Sequence, residues 1–92
     1  MPAAGLITPR VAAFSVFYRA HIERVVAFLR FQGANWAEAA DVAQEAMAEA
    51  YQRWETLIRP DAWVRTVATR EFIRLRLRIH EDPTEQIPEP MT

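Results

Sequence analysis

Arginine, tryptophan and threonine recur between residues 63 and 76 at a spacing that could bind nucleic acid. A first row along one side of a helix would consist of Trp63, Thr66, Arg70 and Arg74. A second row, expected beside the first, would consist of Arg65, Thr69 and Arg76. Guanidinium groups supply charge for phosphates, and aromatic rings supply flat surfaces on which bases stack. The residues alone fit an ordinary solvated face with a half-buried tryptophan equally well.

A row of carboxylates precedes this basic segment. Asp41, Glu45 and Glu49 lie one helical turn apart, where like charges repel one another by about 0.2 to 0.5 kcal/mol per pair. A basic partner surface would offset this cost. A solubilising face near a helix start, where the helix dipole favours acids, explains the same row and is the simpler interpretation from the residues alone.

Side chains for catalysis or metal binding are sparse. The chain has no cysteine, which excludes disulfides and thiolate sites, and His21 and His80 have no partners at metal-ligand spacing. The only glycines, Gly5 and Gly33, cannot form a glycine-rich phosphate loop, and Ser15 has no signalled base. The sequence therefore predicts a protein that is not an enzyme and that uses no cofactor or metal.

Three helices are predicted to carry these residues. Thr8 and Pro9 are typical of a helix start and Gly33 of a helix end. The inner stripe between them would consist of Val11, Phe14, Tyr18, Ile22, Val25 and Leu29. Asn35 and Glu38 approximate a capping box that opens the second helix. Its inner face would consist of Trp36, Ala39, Ala40, Ala43, Met47, Ala50 and Trp54, opposite an acidic face of Glu38, Asp41, Glu45, Glu49 and Gln52.

Pro60 favours the start of a third helix, because proline is tolerated only in a first turn. Its inner stripe would consist of Val64, Val67, Ala68, Phe72, Leu75 and Ile79. Residues 75–79 alternate between apolar and basic as in a strand, but continuity with this stripe favours helix. Glu71 falls within the stripe, so we expect it at the rim or paired with an arginine. The predicted fold is an all-α three-helix bundle over residues 1–80, with a disordered acidic, proline-containing tail or linker over residues 81–92.

Charge is divided into blocks along the 92 residues, although the net charge is only -1. Residues 1–33 and 58–80 are basic, whereas residues 34–57 and 81–92 are acidic. This segregation suggests separate surfaces for partners of opposite sign. The composition, with 51% hydrophobic and 25% charged residues, is typical of one globular domain. No signal peptide or membrane-spanning run is evident, so we expect a cytoplasmic protein without a membrane partner.

The order of several short motifs resembles the region 2 domain of bacterial RNA polymerase sigma factors of the extracytoplasmic-function group. The resemblance covers roughly residues 10–79. It rests on the segments Phe17-Tyr18-Arg19-Ala20-His21, Val25-Val26-Ala27-Phe28-Leu29-Arg30, Asp41-Val42-Ala43-Gln44-Glu45, Arg53-Trp54 and Arg59-Pro60-Asp61-Ala62-Trp63-Val64-Arg65-Thr66-Val67-Ala68. The Asp-x-x-Gln-Glu and Trp-x-x-x-x-Ala elements are fairly specific in combination.

This resemblance implies a role in transcription initiation. The second helix would dock on the clamp helices of the largest subunit of core RNA polymerase through Asp41, Gln44, Glu45 and Glu49. The third helix and the preceding loop, residues 55–61, would recognise and melt the promoter -10 element and capture a base of the non-template strand. The DNA-binding residues would be Arg59, Trp63, Arg65, Thr66, Arg70, Arg74 and Arg76. An anti-sigma factor is a further partner that the resemblance suggests.

The sequence departs from the family pattern at three points. Arg70 stands where many members carry asparagine, and Arg74 stands where an acid is common, so the preferred promoter sequence is open. The second, helix-turn-helix domain of the family does not occur in this sequence. The tail resembles the start of a linker to that domain, which predicts a piece of a longer sigma factor, with a stand-alone protein as the alternative. A second functional hypothesis is a helical protein-protein interaction module without DNA binding, because tryptophan and arginine are also favoured in protein interfaces.

Overall fold

The computed structural model describes residues 7–81, and it is all-helical. The elements are α1 (Pro9–Phe31), α2 (Trp36–Gln52), a short 3-10 helix (Trp54–Thr56) and α3 (Pro60–Glu81). The three long helices pack against one another, which confirms the predicted three-helix architecture. The tail predicted over residues 81–92 lies outside the described residues except for Glu81, which is the last residue of α3. None of the described helices is long and apolar enough to cross a membrane.

The start of α1 follows the local capping signal of the sequence. Thr8 is the N-cap, and its hydroxyl accepts a hydrogen bond from the backbone amide of Val11 at 3.1 Å. Pro9 occupies the first turn, where its missing amide would have no partner in any case.

The end of α1 depends on Gly33, which has a φ of +110°. The Gly33 amide donates to the carbonyl of Arg30 at 2.9 Å, and the Ala34 amide donates to that of Leu29 at 3.0 Å. These two bonds form the Schellman motif, which satisfies carbonyls that the helix leaves without partners. The chain thereby turns directly into α2.

Replacing Gly33 with alanine is expected to destabilise the domain by about 1 to 2 kcal/mol, because L residues disfavour positive φ. A β-carbon at this position meets no atom within 4 Å, so the backbone conformation alone causes the loss. Chemical denaturation measures the effect. Phe31→Ala, at a helical position that is 90% exposed, is the matched control. Equal stability of the two variants would contradict the expectation.

The start of α2 is a complete capping box. The Glu38 amide donates to Asn35 Oδ1 at 2.8 Å, and the Asn35 amide donates to Glu38 Oε1 at 2.9 Å. Arg76 of α3 also donates to Glu38 Oε1, at 3.1 Å, and to the carbonyl of Gly33, at 3.0 Å. The turn between α1 and α2 is therefore tied to the second half of α3.

The core is aliphatic and rich in alanine where α2 meets its neighbours. Its buried residues are Phe17, Val25, Leu29, Ala34, Ala39, Val42, Ala43, Ala46, Met47, Ala50, Val64, Val67, Ala68 and Phe72. Small side chains let the helices approach closely. The inner stripe predicted for α3 is confirmed through Phe72, and Leu75 is partly buried against the core.

The predicted inner faces of α1 and α2 were wrong in part. Trp36 is 66% exposed, because it is the first residue of α2 and its ring lies at the edge of the bundle. Ala40 is exposed and Val42 is buried, so the buried face is rotated toward Val42. Phe17, which the predicted stripe of α1 omitted, is buried.

The last turns of α3 are helical despite the alternating sequence, as predicted. Glu71 is partly buried, and its Oε2 atom pairs with Arg74 Nη1 at 3.0 Å. The prediction of a rim position with an arginine partner is therefore confirmed.

Candidate binding surfaces

An open cleft of about 680 Å³ lies between the first turns of α3 and the segment that precedes it. We call it the Trp63 cleft, and it is lined by Arg53, Thr56, Leu57, Ile58, Arg59, Ala62, Trp63 and Thr66. Trp63 is half-buried and packs against the core, so its ring is held as a wall of the cleft. A planar base could stack on this ring.

Two arginines, Arg53 and Arg59, line the cleft. The guanidinium carbon of Arg53 lies 6.0 Å from the centroid of the Trp63 ring, and Arg59 is exposed. Ile58 is 92% exposed at the rim, which offers an apolar contact beside the ring. The cleft thus combines an aromatic wall, an apolar rim and two positive charges, which suits an unpaired nucleotide.

One carboxylate lies close to these cations, at the start of α3. A hydrogen bond from the backbone amide of Ala62 is the main reason that the pKa of Asp61 lies below its usual range, and the charges of Arg65 and Arg59 act in the same direction. The Asp61 carboxyl group therefore stays ionised to a lower pH than an ordinary aspartate. It belongs to the first turn of α3, where an acid is favoured, rather than to the preceding loop.

Arg70 and Arg74 extend the cationic surface along α3. They follow Trp63 by seven and eleven residues and so share its side of the helix, as predicted. Arg70 is exposed and makes no ion pair or hydrogen bond within residues 7–81, which leaves its guanidinium open to a ligand. The charge of Arg74 is partly neutralised by Glu71.

The second predicted row meets the first row at Thr66, which lines both the Trp63 cleft and a neighbouring cleft. Arg65 follows Trp63 by two residues, which turns its side chain by about 200° around the helix. Arg65 and Thr69 line this neighbouring cleft against Phe28 of α1, together with Thr66. The Thr69 hydroxyl accepts a hydrogen bond from Gln32 at 3.0 Å, on the side of the α1–α2 turn.

Arg76 is engaged within the domain. Besides its bonds to Glu38 and Gly33, its guanidinium carbon lies 4.8 Å from the centroid of the Phe72 ring. A role in phosphate binding stays a prediction for Arg76, with less support than for Arg70, because its guanidinium already has protein partners.

The acidic surface of α2, defined as Asp41, Gln44, Glu45 and Glu49, is largely open. The first three are exposed and Glu49 is half-buried, and none of its carboxylates forms an ion pair within the described part of the chain. Gln44 donates a hydrogen bond to the hydroxyl of Tyr18, which orients its side chain from α1. Glu38, predicted on the same face, instead serves the capping box.

A cleft of about 640 Å³ adjoins the acidic surface, where Asp41 and Gln44 face Leu75 and Ile79 of α3. Leu75 follows Trp63 by twelve residues, or about 18 Å along the helix. The acidic surface and the Trp63 cleft are thus distinct regions of one domain, at opposite ends of α3. Within residues 7–81, no group of three His, Cys, Asp or Glu side chains could hold a metal ion.

Residues 17–80 match the family model for sigma-70 region 2. The chain belongs to the sigma-70 region 2 family. No match was found among curated proteins or among solved structures. Sigma-70 region 2 domains are non-enzymatic parts of sigma factors, which serve transcription initiation by binding core RNA polymerase and the promoter -10 element. The helical packing of this sigma-70 region 2 domain agrees with the match.

Two residues near these surfaces were missed from the sequence. Arg53 was noted only as part of a motif, although it faces the Trp63 ring. The sequence feature that could have indicated this role is the position of Arg53 directly before the predicted loop. Tyr18 was assigned to the inner stripe of α1, and no sequence signal indicated its hydrogen bond to Gln44.

Proposed function

We propose that this sigma-70 region 2 domain belongs to the extracytoplasmic-function group and initiates transcription by capturing an unpaired base of the non-template -10 strand. The observation that carries the proposal is the Trp63 cleft, where an aromatic wall lies between Arg53 and Arg59 and is continued by Arg70. Arg59, Trp63 and Thr66 would contact the captured nucleotide. Arg70 and Arg74 would contact phosphates on the same side of α3, and Arg65 would contact a separate part of the strand.

Energetics favour melted over closed DNA as the ligand. Extruding a base from a duplex costs a few kcal/mol, and stacking on an aromatic side chain returns about 1 to 3 kcal/mol per base. An already unpaired strand does not incur the first cost. The domain should therefore bind single strands much more tightly than duplexes of the same sequence.

The acidic surface would supply the second half of the function. Asp41, Glu45 and Glu49 would face the basic clamp helices of the largest polymerase subunit, and Gln44 would add an amide contact. Such a partner offsets the repulsion between the three carboxylates. We also propose that the domain acts in the cytoplasm, that residues 1–80 form the folded unit, and that residues 81–92 serve as a linker. An anti-sigma factor would cover the same surfaces.

Arg70→Ala should weaken binding to a random-sequence single strand of ten nucleotides by several-fold. Each lost phosphate contact should also lower the slope of log affinity against log salt concentration by about 0.7. Fluorescence anisotropy over a salt series measures both quantities. Arg19→Ala is the matched control, because it removes one exposed arginine from α1 without touching the Trp63 cleft.

If Arg70→Ala left the salt slope unchanged, Arg70 would not be a phosphate-binding residue. If the unaltered domain bound no single strand at all but formed a salt-tolerant complex with a protein partner, the alternative of a protein-protein interaction module would replace the proposal.

A further inference from the structure

Arg10 lies outside residues 17–80, the part of the chain that matches the family, yet it contacts the segment between α2 and α3. Its Nη2 atom donates a hydrogen bond to the backbone carbonyl of Tyr51, and its guanidinium carbon lies 4.5 Å from the centroid of the Tyr51 ring. Its Nε atom lies 3.6 Å from Glu55 Oε2. One side chain of α1 therefore contacts both the end of α2 and the 3-10 helix.

The end of α2 is a favourable place for such a contact. The last carbonyls of a helix lack helical partners and carry partial negative charge, and a basic residue in the last turn usually compensates this charge. Here α2 has no basic residue in its last turn. Arg10 adds a cation there from another helix, 41 residues earlier in the chain, in addition to the C-cap residue Arg53.

The contact with Glu55 reaches a wall of the Trp63 cleft. Glu55 is the central residue of the 3-10 helix, and the next residue, Thr56, lines the cleft. Thr56 donates to the carbonyl of Arg53 through its amide at 2.8 Å and through its hydroxyl at 2.7 Å. These local bonds connect Arg53 and Thr56 at the cleft to the segment from Tyr51 to Glu55 that Arg10 contacts.

We propose that Arg10 is a positioning residue for the Trp63 cleft, which it holds in shape for an unpaired base. Arg10 does not line the cleft, so it acts through Tyr51 and Glu55. This inference rests on the proposed function of the cleft. The hydrogen bond to Tyr51 should carry most of the effect, because the Glu55 side chain is 65% exposed and exposed ion pairs contribute little.

The test uses the whole 92-residue chain and two probes of ten nucleotides, a random-sequence DNA single strand and an abasic strand of equal length. The ratio of the two affinities isolates the part of binding that depends on bases. It should be about 5- to 150-fold for the unaltered protein, the value expected for one stacked base. Arg10→Ala should lower this ratio by about threefold or more, as expected for coupled neighbours. Binding of the abasic strand should stay unchanged.

Three further variants separate positioning from a general loss of structure. Glu55→Gln should also lower the ratio, but by less than Arg10→Ala does. Arg10→Lys should have a ratio between those of Arg10→Ala and the unaltered protein. The reason is that an ammonium group can donate to Tyr51 but lacks the forked donors that also reach Glu55. Arg19→Ala, which removes one arginine from the same helix, should leave the ratio unchanged. Thermal unfolding of each variant shows that the affinities refer to folded protein.

An unaltered ratio in folded Arg10→Ala, beside a clear ratio in the unaltered protein, would overturn the positioning role. Equal losses for the random and abasic strands would overturn it as well, because they would indicate a simple loss of charge. If the unaltered protein itself showed no preference for the base-bearing strand, the proposed function of the cleft would fail instead.

Discussion

Trp63→Ala is expected to lower the affinity of the domain for single-stranded DNA by about 5- to 150-fold, the equivalent of about 1 to 3 kcal/mol of base stacking. The physical reason is that Trp63 is the one aromatic side chain that lines the cleft within the described residues. Affinity for an abasic strand should change little, because the phosphate contacts remain. Fluorescence anisotropy with random-sequence and abasic strands of ten nucleotides measures both.

Two control variants make this expectation specific. Trp63→Phe keeps an aromatic wall and should retain most of the preference for base-bearing strands. Trp36→Ala removes an equally large ring that is 66% exposed and lies outside the cleft, so it should leave DNA binding unchanged. Because Trp63 also packs against the core, unfolding curves must accompany the binding data. Equal affinity of Trp63→Ala and the unaltered protein for the random strand would contradict base capture in this cleft.

Asp41→Arg should weaken binding to a coiled-coil fragment of the polymerase clamp helices by about 30-fold or more, because like charges brought together in an interface cost several kcal/mol. Asp41 is exposed and has no cationic partner within residues 7–81, so its reversal should leave the fold intact. Titration calorimetry at two salt concentrations measures the loss, and the attraction in the unaltered protein should weaken as salt rises.

Glu23→Arg is the control for this reversal, because it makes the same charge change at an exposed position of α1 outside the acidic surface. DNA binding by Asp41→Arg should not fall, since Asp41 lies at the other end of α3 from the Trp63 cleft. If Asp41→Arg bound the clamp-helix fragment as tightly as the unaltered protein does, the acidic surface would not be the polymerase-docking surface.

Much of the fold could be predicted because its boundaries depend on neighbours in sequence. Thr8, Asn35 and Gly33 each act on amides or carbonyls within a few residues, so the start of α1, the start of α2 and the turn between them followed from local chemistry. The end of α3 was the harder case, and there the alternation of residues 75–79 was correctly outweighed by the helical stripe.

The errors concern contacts between helices. Periodicity placed Trp36 on the inner face of α2, but at a helix end no neighbouring helix covers the ring. The roles of Arg76, which binds Glu38, and of Arg10, which binds Tyr51, depend on residues about 40 positions away in the chain. Local sequence patterns cannot predict contacts between residues so far apart in the chain.

The candidate site was predicted in part for the same reason. The side of α3 shared by Trp63, Arg70 and Arg74 follows from helical spacing alone. Arg65 is turned away from Trp63 by a step of two residues, but it shares a cleft with Thr66, so the two predicted rows meet there. Arg53 could not be placed over Trp63 from the sequence, because that contact depends on how the chain between α2 and α3 folds back.

Photo-crosslinking from the rim of the cleft tests the central claim most directly. Ile58, which is 92% exposed beside Trp63, can be replaced by a photoreactive phenylalanine analogue. The variant is then bound to core RNA polymerase and to a promoter fork with a randomised single-stranded -10 segment. The expected result is a crosslink concentrated on one or two bases of the non-template strand, which Trp63→Ala reduces. Crosslinks confined to duplex DNA or to the template strand would contradict it.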